Sequence, residues 1–157
     1  MEWFQVVEAG EGIEGAILRD LAARRSGAER HVSTSHPTLL VVSPRAATQG
    51  LKLPAACRTV LLPGDAGGLL AGLRAASAVS YGTSPRDSLT ISSRERGRLW
   101  AALQRELVTV DGQVVERQEF PLALEPGREE LPALAVAGAL LLLGVPPEAL
   151  EDPAPGT

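Results

Sequence analysis

Hydrophobic and polar positions change period several times along this chain, and each change predicts an element. Trp3 to Gly10, WFQVVEAG, is rich in aromatic and β-branched residues and stops at a glycine, as a strand does. IEGAILRDLAARR then takes helical spacing. Ile13, Ile17, Leu18 and Leu21 fall on one side, and Glu14, Asp20 and Arg24 are left for water. SGAERHVSTSH predicts a loop, or a loop ending in a short strand. PTLLVVSP is almost continuously apolar, like strands inside a parallel sheet covered on both faces. RTVLLPGD repeats that pattern and AASAVSYG repeats it more weakly, while AGGLLAGLRAA between them has room for only a short helix. Strands and helices alternating over such brief connections favour right-handed parallel crossovers.

Beyond Gly82 the pattern changes. DSLTISS predicts a short strand, and RLWAALQRELVTV meets GQVVERQEFPLAL through Asp111-Gly112, a dipeptide suited to a two-residue hairpin turn. Leu99, Leu103 and Leu107 fit helical spacing and also one face of a strand, and the hairpin signal decides for β. REELPALAVAGALLLLGVPPEAL predicts the closing helix. Glu129 and Glu130 suit its positive end, Pro132 its first turn, and Gly144 with Pro146 its stop. Because ALAVAGALLLLG is apolar almost all round, it has to be covered by the sheet and also by a loop or another chain. That is the sequence's argument for association, as a homo-oligomer or with a partner protein. The expected fold class is α/β: a single three-layer Rossmann-like domain over residues 1–150, with a mostly parallel sheet and an antiparallel hairpin. A frayed tail is expected at 151–157.

Composition narrows the partners. With 157 residues, 45% hydrophobic and 22% charged, the chain can bury a core without staples. A net charge of −4 and a pI near 5.2 argue against nucleic acid or an anionic membrane as partner. Cys57 is the only cysteine, which excludes an intrachain disulfide and an all-cysteine metal site. His31 and His36 have no neighbouring cysteine or carboxylate cluster, so they read as loop residues and no metal is expected. No apolar run is long enough to span a bilayer, and Met1 to Gln5 leads straight into a strand, so the expected location is cytoplasmic.

The order of the segments carries a family likeness. VLLPGD, then LLAGLRAASAVSYGTSPRDSLTISS, and much later PGREELPALAVAGALLLLGVPPEAL, together resemble the central domain of the Mur ligases. In that family a strand ending N-x-D-D precedes a short helix and a strand ending in YG or FG. A GxHNxxNxxAAxAxAxxLGVxxExI helix follows later. The Phe120-Pro121-Leu122 hairpin strand between them matches in order, and the likeness spans Arg58 to Leu150. It implies an ATP-dependent ligase scaffold that joins an amino acid to a nucleotide-linked precursor through an acyl phosphate. ATP and magnesium would sit on a G-T-N-G-K-T loop, where backbone N–H groups cradle phosphate, a lysine neutralises charge and a hydroxyl holds the metal.

Only VEAGEGIEGAIL, with Gly10, Gly12 and Gly15 between strand and helix, could host such a loop. Glu14 and Gly15, or Glu11 and Gly12 in a shifted register, stand where lysine and threonine are needed, and a glutamate there repels polyphosphate. Pro63-Gly64-Asp65 keeps one carboxylate of N-x-D-D, and Glu129 and Glu130 replace the His-Asn set. Arg45, Ala46, Ala47 and Thr48 stand where the family has T-N-x-x-x-D-H-L-D. No lysine follows Lys52 to serve as the family's carboxylated lysine, and the flanking substrate domains have no counterpart in this length.

The resulting expectation is a non-catalytic Mur-ligase-like domain with a structural, regulatory or protein-interaction role, without cofactor or catalytic residues. The alternative is a small-ligand crevice at the strand carboxyl ends, built from Gly10, Gly12, Gly15, Asp65, Gly67, Tyr81 and Arg86. Each has a plainer reading: Asp65 as a helix cap, Gly67 and Gly68 as turn residues, Tyr81 as packing. Asp87 and Ser88 read as a turn, with Arg86 placed to hold an anion beside it. An enzyme of another mechanism is the third reading. It lacks parts, because Ser92 and Ser93 have no His-Asp partners and Glu116 and Glu119 fall on opposite faces of a strand. Cys57 reads as a buried small hydrophobe, and Trp3 and Trp100 as core or interface anchors.

Overall fold

A computed structural model describes residues 3–24, 29–30, 36–95, 98–123 and 127–151, with residues 29–30 as backbone only. His31 and all of the 151–157 tail after Glu151 lie outside the described residues. The chain is a mixed α/β fold around a mostly parallel, partly antiparallel sheet. β1 (Trp3–Val7), β3 (Leu39–Val42), β4 (Ala56–Pro63) and β5 (Arg74–Gly82) are its central strands. β2 (Glu29–Arg30) flanks β1, and β6 (Leu89–Glu95), β7 (Arg98–Leu103) and β10 (Gln118–Ala123) continue past β5. The order is β10-β7-β6-β5-β4-β3-β1-β2. Every pair from β2 to β6 is parallel, and β6–β7 and β7–β10 are antiparallel.

The unbroken apolar runs are explained by two cores on opposite faces of the sheet. Leu39, Val41 and Leu61 pack with Phe4 and with Ile13 and Ile17 of α1 (Ile13–Ala23). Their neighbours Leu40, Val42, Val60 and Leu62 pack with Ala46 of α2 (Pro44–Gln49), and with Ala66 and Leu73 at the 3-10 segment Gly64–Gly72. Ten of the thirteen residues of α3 (Glu130–Leu142) are buried. The helix lies against α1 and β3 to β6, and its Leu142 carbonyl accepts from the Val110 N–H at 2.8 Å. Most of its apolar surface is therefore covered by α1 and the sheet, with Leu131 and Val136 partly exposed.

Other expectations shift in detail. The segment after β4 is a 3-10 helix, with Ala66 outside helical dihedrals. The Leu99–Leu107 stretch is strand as far as Leu103. β8 (Leu107–Val108) then pairs with β9 (Val114–Val115) in a separate two-stranded sheet. The hairpin between them closes on three residues, not two. Thr109 N–H donates to the Gln113 carbonyl at 2.8 Å, and Gly112, at φ +90°, donates back to Thr109. This is a turn followed by a left-handed residue, a common three-residue solution. Trp100 is half-buried and Trp3 is 41% exposed, so neither is a core anchor. Among the described residues no helix is long and apolar enough to cross a membrane.

Candidate functional site

β1 leads through α1 to β2 on one side, while its other neighbour, β3, leads through α2 to β4 on the other. The carboxyl ends of β1 and β3 therefore form a topological switch point, where open α/β sheets place their ligands. The connecting turn is Glu8 to Gly12. Gly10 and Gly12 hold φ of +72° and +74°, in the left-handed region that favours glycine. Gly12 caps α1 with no side chain of its own.

The N–H groups that open α1 are satisfied from within the turn. One Glu8 carboxylate oxygen accepts the Ile13 N–H at 2.8 Å, and the other accepts the Glu14 N–H at 2.9 Å. A carboxylate thus sits on the positive end of α1, where an anionic ligand would be held. Glu11 does the same for α2 from across the switch point. It accepts the Arg45 N–H and the Ala9 N–H, each at 3.1 Å, and the Ser43 hydroxyl. Ser43 is fully buried, and its Oγ accepts the Ala46 N–H at 2.9 Å as the α2 cap. One short turn therefore supplies the counter-charge for two helix ends on opposite faces of the sheet.

Tyr81 lies beneath, fully buried, and its hydroxyl donates to the Val42 carbonyl at 2.6 Å. Burial first, then the charges of Glu11 and Asp65, push its phenol well above the ordinary range. It remains a neutral donor that fastens β5 to the end of β3. Asp65 is exposed in the first turn of the 3-10 segment and makes no capping bond, so the cap expected of it is not made.

A cavity of about 300 Å³ opens beside the turn, lined by Gly10, Glu11, Arg45, Gly127, Arg128, Glu129 and Pro132. Arg45 and Glu129 face each other at 3.8 Å with both side chains exposed, a contact worth little in water. Of the seven residues expected to form a crevice, only Gly10 lines this cavity. Gly12 is at the α1 cap, Gly15 is on the exposed side of α1, Gly67 is exposed in the 3-10 segment and Tyr81 is below. Arg86 is exposed on the loop after β5, where its backbone N–H donates to Ser84 Oγ and its carbonyl accepts from Arg105.

Asp87, expected in a turn, is in one and also does more. It is 5% exposed and accepts the Ser84 N–H at 3.0 Å. Its carboxylate lies so close to Gly64 and Gly82 that a Cβ on them would stand 1.7 and 2.5 Å from its oxygens. Cys57 is buried, and burial pushes its thiol up to about 11. Among the described residues no group of three or more His, Cys, Asp or Glu could hold a metal ion.

Sequence reasoning noticed the charge of Glu11 but missed Glu8, because it reaches α1 from five residues before Ile13. Capping patterns are sought at a spacing of three. Arg45, Arg128 and Glu129 were invisible as a group, since they meet only when the α3 start folds over the switch point. No protein-family model matches this sequence, and no curated protein matches it.

Proposed function

We propose that this chain is a non-catalytic α/β domain of the Mur-ligase central-domain kind, acting through contact with another protein rather than through nucleotide chemistry. The observation that supports this most is the Glu8 carboxylate bonded to the Ile13 and Glu14 N–H groups. A phosphate would have to displace two charge-assisted hydrogen bonds and then lie beside Glu8 and Glu11. Each like charge at 5 Å costs about 3 kcal/mol at an effective dielectric of 20. No lysine in the turn offsets this, because Lys52 is the sole lysine and lies between α2 and β4. Titration calorimetry with ATP and magnesium tests the reading. No saturable heat is expected in the micromolar range, and magnesium-dependent saturation there overturns it.

A second reading rests on the cavity, whose lining carries Arg45, Arg128, Glu11 and Glu129. Such a lining suits a small ligand bearing both charges, such as an amino acid or dipeptide. A thermal-shift screen of those compounds, repeated on Arg45→Ala, tests it. A hit lost in the variant supports this reading, and no hit removes it.

A further inference from the structure

Past β5 the sheet carries a core on one face only. Leu89, Leu99, Ala101, Leu103, Phe120 and Leu122 of β6, β7 and β10 belong to the core they share with α3. The core on the opposite face takes no residue from these three strands. Their registers lay out that opposite face in three rows. Ser93, Trp100 and Pro121 form the middle row, with Glu95, Arg98 and Ala123 on one side of it. Thr90, Ala102 and Glu119 form the row on the other side. Thr90 is buried, and the remaining eight residues reach solvent.

Trp100 therefore stands at the centre of a bare sheet face, with no charged side chain in its row. Burial alternates along β7 as this requires: Leu99, Ala101 and Leu103 are buried, and Arg98, Trp100 and Ala102 are half-buried. Charge sits only in the outer rows. Arg98 and Glu119 lie on neighbouring strands, on opposite sides of the Trp100 row. Glu119 has no ion-pair partner among the described residues. Arg98 reaches Glu151 at 3.4 Å with side chains 41% and 44% exposed, a contact worth little in water and easily exchanged.

We propose that two copies of this chain pair through this face, about a two-fold axis that crosses the strands along the Trp100 row. Trp100 then stacks on Trp100 of the second copy, and Pro121 meets Pro121 beside it. The same rotation carries Arg98 of each copy over Ala102 of the other. That position is one strand spacing, about 4.8 Å, from Glu119, so an Arg98–Glu119 pair forms twice. A two-fold along the strands would instead set Arg98 against Arg98. The face thus supplies both halves of its own charge match, which is why a second copy is the occupant. Eight residues on each copy are fewer than the roughly 20–30 a side of a stable dimer, so the association is weak and reversible. The proposal goes beyond the function proposed above and does not depend on how nucleotide binding turns out.

Sedimentation velocity on the full chain, from about 10 µM to about 1 mM, should show monomer giving way to dimer, with a dissociation constant on the order of 100 µM. Trp100→Thr keeps a strand-forming residue and removes the ring, so it should fold and stay monomeric, with circular dichroism confirming the fold. Arg98→Glu and Glu119→Arg should each weaken pairing by about tenfold or more, because like charges then meet across the axis. An equimolar mixture of those two variants should recover the dimer, since each supplies the charge the other lacks. A chain that stays monomeric at about 1 mM overturns the proposal and leaves the face to a different protein. Undiminished pairing by folded Trp100→Thr, or a mixture that pairs no better than its components, overturns it as well.

Discussion

The turn after β1 shows how one side-chain type can fill a ligand's place. Glu8 gives α1 a cap that Gly12 cannot supply, through two N–H groups at 2.8 and 2.9 Å. Glu8→Ala is expected to lower stability by about 1–2 kcal/mol, and Glu8→Gln by less, because the amide keeps one acceptor. Urea denaturation reads both, and an unchanged midpoint in Glu8→Ala would deny the cap. Asp87 presents the opposite case, a carboxylate that fits only because Gly64 and Gly82 have no side chains. It cannot swing away without releasing the Ser84 N–H. Gly82→Ala is therefore expected to cost about 2 kcal/mol through overpacking. Adding Asp87→Ala should relieve part of that, so that the double variant loses less than the sum of the singles. Strict additivity would place the strain elsewhere. The sequence showed the glycine turn as a turn, but not what fills it. A residue five positions from its target leaves no periodic trace.

At the scale of elements, legibility follows length and period. The central apolar strands and α3 were readable because hydrophobic burial dictates long, unmixed runs. α2 was missed because six residues, PRAATQ, are too few to show a period. The 3-10 geometry of Gly64–Gly72 is set by tertiary context, since two glycines at 67 and 68 give no local preference for an α-helix. The start of α3 supplies a pH test. Arg94 bonds Glu130 at 2.6 and 2.9 Å, and that bond holds the Glu130 carboxyl below its ordinary value, against a smaller opposing effect of burial. A depressed carboxylate adds stability above its unfolded pKa and loses it as pH falls through the folded one. Wild type should exceed Glu130→Gln in stability at neutral pH, and the gap should close under acid and shrink in high salt. A gap that persists at pH 2 would mean the pair is not its source.

At the scale of the molecule, the two cores are joined by the strands they share. Leu39 and Leu40 are neighbours in β3, yet one belongs to the α3 side and the other to the α2 side. Strands of a single sheet cannot keep one face while losing the other, because their backbone bonds run through both. The alternation was readable in LLVV as a doubly covered strand, whereas the position of β1 between β2 and β3 was not, since strand order comes from crossovers rather than local pattern. Leu40→Ala on one face and Leu141→Ala on the other, both fully buried, should each cost about 3 kcal/mol. The sheet separates them, so the two losses should add. Cys57 reports the same event from the α2 side. Its burial and raised thiol should make it react with a thiol reagent at least roughly hundredfold more slowly than a free cysteine at neutral pH. In urea, Cys57 labelling and far-UV circular dichroism should follow one transition in wild type and in both variants. If Cys57 becomes reactive well before the dichroism changes, the α2 layer opens on its own and the shared strands do not bind the two cores into one cooperative unit.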